Sequence, residues 1–307
     1  MDLRLAQLRT LREVARQGSF SRAAEKLRLS QPAVSLQVRQ LEESFGAVLI
    51  ERVGKRAFAT RAGETLLAHG ERVFAELETA RLALSRAGDA IAGPVRIGTG
   101  ATASIYLLPP LLRRLRLQHR ALEFSVATGN TREIVQAVVD NALDLAIVTL
   151  PVARRELVVT PFYRDPLVVI APPEKRWRGP RTIEPTALTN EALILFERGG
   201  AIRAVMDGWF VKAGTAPRVT MEVGNAEASK ALVGVGVGLS IISAMAVKKE
   251  VVAGELVALT PKPALARMLG VVRRRDKPMT PALQAVLAAC DAFARKNGVE
   301  RSYKGGS

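Results

Sequence analysis

Cysteine is nearly absent from this chain: Cys290 is the only one in 307 residues. An intramolecular disulfide is therefore impossible, and so is a Cys-x-x-Cys metal or redox site. A lone small thiol in a carboxy-terminal helical stretch reads as a core residue. Histidine is almost as scarce. His69 and His119 are the only two, and neither has a serine–aspartate pair or a metal-ligand cluster at hand. No acid pair or activated nucleophile stands out, so the sequence offers no enzyme active site, no cofactor and no metal centre. Long apolar runs are missing as well. None reaches the length of a bilayer span, and the opening Met1-Asp2-Leu3-Arg4 has no apolar signal-peptide core. A cytoplasmic protein is expected. Acidic residues are outnumbered, 29 against 45 lysines and arginines, which leaves a net charge of +16 and a pI near 10.8. That balance favours a polyanionic partner such as double-stranded DNA, although a membrane surface would select it too.

What the chain does have is concentrated between Ser19 and Glu42. Phe20, Ala23, Ala24 and Leu27 share one face at helical spacing. Arg28-Leu29 makes a turn, Ser30 stands at an N-cap position, and Pro32 occupies the first turn of a second helix, where a missing N–H is harmless. Val34, Val38, Leu41 and Phe45 form the apolar face of that second helix. Its other face shows Gln31, Ala33, Ser35, Gln37, Arg39 and Gln40. Short donors and acceptors, one cation and a methyl group suit the hydrogen-bonding edges and thymine methyls of a major groove. Two such helices make a helix-turn-helix. A preceding helix from Leu3 to Gln17, with Leu5, Leu8, Leu11, Val14 and Ala15 on one face, completes a three-helix core. Beyond Leu49, two short extended pieces around Gly54 form a wing hairpin whose tip carries Arg52, Lys55 and Arg56. Cations there are expected on phosphates or in a minor groove.

The pattern Gly18-Ser19-Phe20, Ala23-Ala24, Leu27, Ser30-Gln31-Pro32-Ala33-Val34-Ser35 and Leu41-Glu42 resembles the DNA-binding segment of the LysR-type transcriptional regulators. The likeness runs on through Gly46, Leu49-Ile50-Glu51-Arg52, Thr60 and Ala62-Gly63. It implies DNA contacts by Ser21, Gln31, Pro32, Ala33, Ser35, Gln37, Arg39, Arg52, Lys55 and Arg56. Leu36 departs from it, since many members carry a polar or basic residue there, which argues against direct readout from that position.

From Thr60 a long helix is expected to about Ala87, with Leu66, Gly70, Val73, Leu77, Ala80 and Leu84 at alternating steps of four and three. This heptad seam fits pairing with another helix or packing on the chain's own body. In the resembled family the linker helix pairs two subunits. Leu66, Val73, Leu77 and Leu84 then become dimerisation residues, and two recognition helices read a dyad-related site. A homodimer or homotetramer is implied, with RNA polymerase as a further partner.

Gly88 to Pro94 breaks the pattern. Strand and helix signals then alternate, as in a parallel sheet covered on both sides. Strands are predicted at 95–97, 122–127, 143–149, 158–163, 167–171, 192–196, 218–223, 239–242 and 266–273. Helices are predicted at 104–117, 131–141, 201–213, 226–235 and 281–295. The fold class expected is α/β with an N-terminal all-α winged helix-turn-helix, a long linker helix and a two-lobed, periplasmic-binding-protein-like effector domain. The resemblance places the DNA-binding domain at 1–60 and the linker at 61–88. The effector domain follows at 93–300, with lobe I at 93–161 and 267–300 and lobe II at 162–266, before a tail at 301–307. Small-molecule ligands of such folds lie beyond the carboxyl ends of the strands. Thr102, Ser104, Thr128, Gly129, Asn130, Thr149, Phe196 and Asn225 stand at those ends, and Thr102 matches the hydroxyl residue most often involved in the family. Plain helix capping is the alternative for Thr102, Asn130 and Asn225, and one residue can serve both ends. Gly98-Thr99-Gly100-Ala101-Thr102-Ala103 loosely fits a dinucleotide fingerprint, but no acidic residue closes the next strand to hold a ribose. Gly234 to Gly238 follows a helix instead of opening one, so it reads as a turn. The expected function is a ligand-responsive regulator sensing a small anionic metabolite. The alternative is a small-molecule-binding or enzymatic α/β domain merely tethered to DNA.

Overall fold

A computed structural model describes residues 4–54, 56–84, 91–179 and 181–299. The chain divides into two compact units, the first made of the residues up to Leu84 together with Asp140–Ala142. That unit holds α1 (Leu5–Gln17), α2 (Phe20–Leu27), α3 (Gln31–Phe45), β1 (Ile50–Val53), β2 (Arg56–Ala59) and α4 (Arg61–Leu84). Local chemistry sets the element ends. Ser19 and Ser30 cap α2 and α3 by accepting from the N–H groups of Arg22 and Ala33 at 3.4 and 3.3 Å. Arg28 turns the chain between them in the left-handed region, at φ 56°.

Leu8, Leu11, Val14, Ala23, Ala24, Val34, Val38 and Leu41 meet Leu49, Ile50 and Ala57 of the hairpin in one core. Two residues of the expected faces lie outside it. Leu5 and Phe45 are 45% and 38% exposed, because each stands at a helix end, where the periodic face runs past a small core. Glu42 ties α3 to the hairpin: its Oε1 accepts from the N–H of Leu49 at 2.8 Å and of Ile50 at 3.2 Å. Thr60 starts α4 by accepting from Gly63 N–H at 3.1 Å and donating to Val48 O at 2.6 Å. Gly63 has to be glycine, since a Cβ there would lie 2.1 Å from the carbonyl oxygen of Leu49. Thr60 and Gly63, at the end of the family-like stretch, are thus a helix cap and a point of backbone contact. Residues 85–87 of the expected linker helix, and the tail at 301–307, lie outside the described residues.

The second unit runs β3 (Gly93–Thr99), α5 (Ala101–Tyr106), α6 (Leu108–Gln118), β4 (Leu122–Thr128), α7 (Thr131–Val139), β5 (Leu145–Thr149) and β6 (Leu157–Ala171). It continues with α8 (Lys175–Arg178), β7 (Thr182–Ile183), β8 (Leu193–Phe196), α9 (Ala201–Lys212), β9 (Val219–Val223), α10 (Ala226–Gly234) and β10 (Leu239–Ser243). Last come α11 (Lys248–Ala253), β11 (Val257–Pro261), β12 (Ala266–Arg274) and α12 (Pro281–Lys296). The two strands expected between 158 and 171 are one continuous strand. The first part of β6 pairs with β12, and its end pairs with β10 on one side and β11 on the other. One half of the unit therefore has the order β4-β3-β5-β12-β6 and the other β6-β10-β8-β9. Neighbours within β4-β3-β5 and within β10-β8-β9 are parallel, while β12 and β6 run antiparallel to theirs. The sheets are thus mixed. Strands β7 and β11 had no clear sequence signal.

The expected helix at 104–117 is two helices. Leu107 interrupts it because Pro109 and Pro110 follow and cannot donate to the preceding turn. Strand β5 is buried on both faces, which explains its unbroken apolar run. Leu145 and Ile147 join the core under α6 and α12, and Ala146 and Val148 join Ile134, Val135 and Val138 of α7. The other half has its own core, with Phe210, Met206, Leu193, Leu195, Ile241 and Leu259 at 0% exposure.

Asp144 locks the start of β5 to β3. Its carboxylate accepts from Arg96 Nη2 and from Arg96 N–H, both at 2.7 Å, and pairs with Lys277 Nζ at 2.7 Å. Burial opposes ionisation, but Arg96 and Lys277 outweigh it and hold the carboxyl below its usual range. A depressed folded value means stability that is present above the unfolded carboxylate pKa of about 3.9 and lost as pH falls through the folded value. Asp144→Asn should cost about 2 kcal/mol at neutral pH. In urea unfolding followed across pH, its deficit should stay level from pH 7 to pH 5 and shrink below about pH 4.

Candidate functional site

Two places in the molecule gather the residues singled out by sequence. In the first unit, α3 turns Val34, Val38 and Leu41 inward and leaves Gln31, Pro32, Leu36, Arg39 and Gln40 exposed, with Ala33, Ser35 and Gln37 half-buried. Its polar groups are partly engaged. Gln31 Nε2 donates to Ser35 Oγ at 2.8 Å. Gln37 does not face outward freely, because its Oε1 accepts from Thr10 Oγ1 of α1 at 2.6 Å. Gln40 is held likewise by Gln7 Nε2 at 3.0 Å. Ser21 is exposed on α2. In the hairpin, Arg56 is exposed, and Arg52 lays its guanidinium 4.3 Å above the Phe20 ring. Lys55 lies outside the described residues.

The α4 seam divides. Leu66 is half-buried against the unit's own core together with Leu67 and Phe74, so it serves folding. Val73 and Leu77 are 41% and 46% exposed and remain available to a partner helix. The side chain of Leu84 lies outside the described residues.

In the second unit a cavity of about 460 Å³ opens between the two halves at the strand ends. Thr102, Thr128, Gly129, Asn130, Thr149, Phe196 and Asn225 all line it. Ser104 does not. Its hydroxyl donates to Ala101 O at 2.7 Å, back along the turn of α5, which starts three residues before the expected helix. Asn130 and Asn225 are N-caps. They accept from the N–H groups of Glu133 and Ala228 at 3.0 and 2.9 Å. The first turn of α9 opens from Gly200 with no side chain capping it, so its N–H groups are left for whatever enters. The Thr102 side chain is buried at 7% exposure, and no hydrogen bond holds its hydroxyl among the described residues.

Sequence reasoning missed the one cation that lines the cavity among the described residues. Arg267 is 8% exposed. Its Nε donates to Asp165 Oδ2 at 2.7 Å and its Nη1 to Thr149 Oγ1 at 3.3 Å. Asp165, fully buried, also accepts from Ser243 Oγ at 2.6 Å. Arg267 and Asp165 sit opposite each other on β12 and β6. The sequence hint was Asp165 and Arg267, each standing next to a run of apolar strand residues. Glu133 and Glu197 stand at the exposed rim. Beside the cavity, Tyr106 of α5 reaches across to α10: its hydroxyl donates to Glu227 Oε1 at 2.5 Å and accepts from Lys230 Nζ at 2.9 Å. Lys230 also donates to Glu250 Oε1 at 2.6 Å. Cys290 is buried in the β-sheet core, where desolvation pushes its thiol up to about 12, so it is no redox-active thiolate. The Gly234–Gly238 stretch is a turn, with Gly236 at φ 81°.

A buried ion pair adds little net stability, but removing one partner strands the other charge. Asp165→Asn should therefore lower the stability of the second unit by about 3–5 kcal/mol, read by chemical denaturation. A loss no greater than that of a surface substitution would show that Arg267 finds a substitute partner.

Comparison with known proteins bears on both sites. Residues 5–64 match the bacterial regulatory helix-turn-helix protein, lysR family, and residues 88–295 match the LysR substrate binding domain. A RuBisCO operon transcriptional regulator of Allochromatium vinosum is 34% identical over 286 residues, covering 93% of this chain and 94% of that one. The full-length CbnR structure in complex with its target DNA superposes with a TM-score of 0.73 at 21% identity, covering 96% of this chain and all of that one. The regulatory domain of Synechocystis PCC6803 CcmR in complex with 2-PG gives 0.61 at 29% identity, covering 66% of this chain and 98% of that domain. No helix among the described residues is long and apolar enough to cross a membrane. With both of its segments matched and a relative aligned over nearly its whole length, this chain belongs to the LysR family of DNA-binding transcriptional regulators, which carry an effector-binding domain and are not enzymes.

Proposed function

We propose that this protein binds a dyad-symmetric promoter site as a homodimer or homotetramer and responds to a small organic anion held in the interlobe cavity. The observation that carries the first half is the exposed face of α3, started cleanly by Ser30 and Pro32, beside an exposed basic hairpin. Gln31, Pro32, Ala33, Ser35 and Arg39 meet base edges, with Ser21 and Gln37 supporting at the flanks. Arg52, Lys55 and Arg56 meet phosphates. Val73, Leu77 and Leu84 pair the linker helices of two subunits. RNA polymerase is the downstream partner, and the protein works in the cytoplasm. The related CbnR structure, which contains target DNA, supports this reading.

For the second half, the cavity offers an anion the uncapped first turn of α9, the Thr102 hydroxyl and the edge of Arg267. Glu197 at the rim favours a ligand whose far end donates hydrogen bonds. The related CcmR regulatory domain, solved in complex with 2-PG, supports a ligand-binding role for this domain. Ligand acts by binding one arrangement of the oligomer better than the other. Tethering of an unrelated α/β domain to DNA has no observation in its favour.

The tests separate the parts. Arg56→Ala should lower affinity on every duplex and flatten the slope of log K against log salt by about 0.9, while Ser35→Ala should weaken binding to a selected site and leave random duplex almost unchanged. An unchanged salt slope would remove Arg56 from the phosphate contacts. Thermal-shift measurement against a panel of small organic anions should find one that raises Tm in the wild type, and Thr102→Val should lose that shift while keeping its own Tm. A retained shift would put the ligand elsewhere.

A further inference from the structure

We propose that Leu36 is a base-reading residue that recognises the C5-methyl group of a thymine in the major groove; the inference rests on the DNA-binding reading above and specifies its chemistry. Val34, Val38 and Leu41 point into the core. At about 100° per residue, the direction opposite their mean is that of Leu36. It is 55% exposed, more than any other large apolar residue of α3. An exposed leucine is unremarkable by itself. This one stands at the centre of the face that would enter the groove, with Pro32 one turn before it and Arg39 beside it, and Arg39 has no ion partner among the described residues.

Three glutamines of this helix are engaged within the domain. Gln37 is held by Thr10 and Gln40 by Gln7, both toward α1. Gln31 is turned onto Ser35. The middle of the face is therefore apolar, and hydrogen-bond readout is pushed to its margins. Only one base carries an apolar group on its major-groove edge, the thymine methyl. Leu36 gains by covering that methyl. Against any other base it would desolvate a donor or acceptor without replacing its partner, so the wrong base is rejected as well. Arguing from hydrogen bonding alone, position 36 takes no part in readout; the exposed geometry reverses that expectation.

The experiment uses the full-length protein to select duplexes from a random library. Dissociation constants are then measured by fluorescence anisotropy on the selected duplex, with each thymidine in turn replaced by deoxyuridine. Wild type should lose about three- to fivefold in affinity at one symmetry-related thymidine position, the worth of one buried methyl group. Leu36→Ala should bind the thymidine and deoxyuridine duplexes equally, with unchanged Tm and unchanged affinity for random duplex. A wild type indifferent to every replacement overturns the proposal, as does a Leu36→Ala protein that still loses affinity on deoxyuridine. Absence of any enriched sequence is a separate failure, which removes the DNA-recognition reading and this proposal with it.

Discussion

Strand β6 and the ion pair upon it organise the larger unit. The strand is long enough to belong to both halves, and each half builds its own apolar core on it. Asp165 lies where the strand passes from one half to the other, and its two oxygens bind Arg267 on β12 and Ser243 on β10. Arg267 in turn donates to Thr149 at the end of β5. A charge with no water around it must keep its partners, so this pair fixes where three strand ends stop. Two of those ends, at Thr149 and Arg267, line the cavity. Structural constraint and binding chemistry therefore meet in one guanidinium, which is rigid because its partner is buried and useful because one edge lines the cleft.

The smaller unit depends on a comparable economy of parts. Its core holds eleven buried apolar side chains among the described residues, and four polar residues of the family-like pattern tie down backbone. Ser19 and Ser30 cap helices, Glu42 binds two amides of the hairpin, and Thr60 and Gly63 seat the long helix against Leu49. Gln37 and Gln40, held at α1, leave fewer hydrogen-bonding side chains on the exposed face of α3. This explains why an apolar residue at the middle of the exposed face has consequences: these two neighbours are occupied in holding α3 to α1.

How far the site was legible depended on whether a residue acts locally. Helix caps, the turn at Arg28 and the wing around Gly54 follow from nearest neighbours, and they were readable. Seven of the eight expected cavity residues line the cavity, since strand ends followed by helix starts are marked by small and hydroxyl residues. Ser104 failed because α5 begins earlier than the apolar periodicity suggests and breaks at Leu107 before two prolines. Arg267 was invisible because its meaning depends on Asp165, a hundred residues away in sequence and opposite in register. A heptad pattern, for a related reason, does not say which partner the helix meets, and Leu66 in its first turns packs on the chain's own core.

The sequence by itself marked the helix-turn-helix, the wing and the alternation of strands and helices, because these rest on periodicity and on caps that act within a few residues. The two-lobed fold followed from the family resemblance. Tertiary structure alone decided which polar groups remain free, which end of the α4 seam is open, and where a buried cation stands. Those properties depend on contacts between segments far apart in sequence, and on the loss of water that such contacts impose. A side chain's chemistry is written in the sequence, but its availability is set by what packs against it.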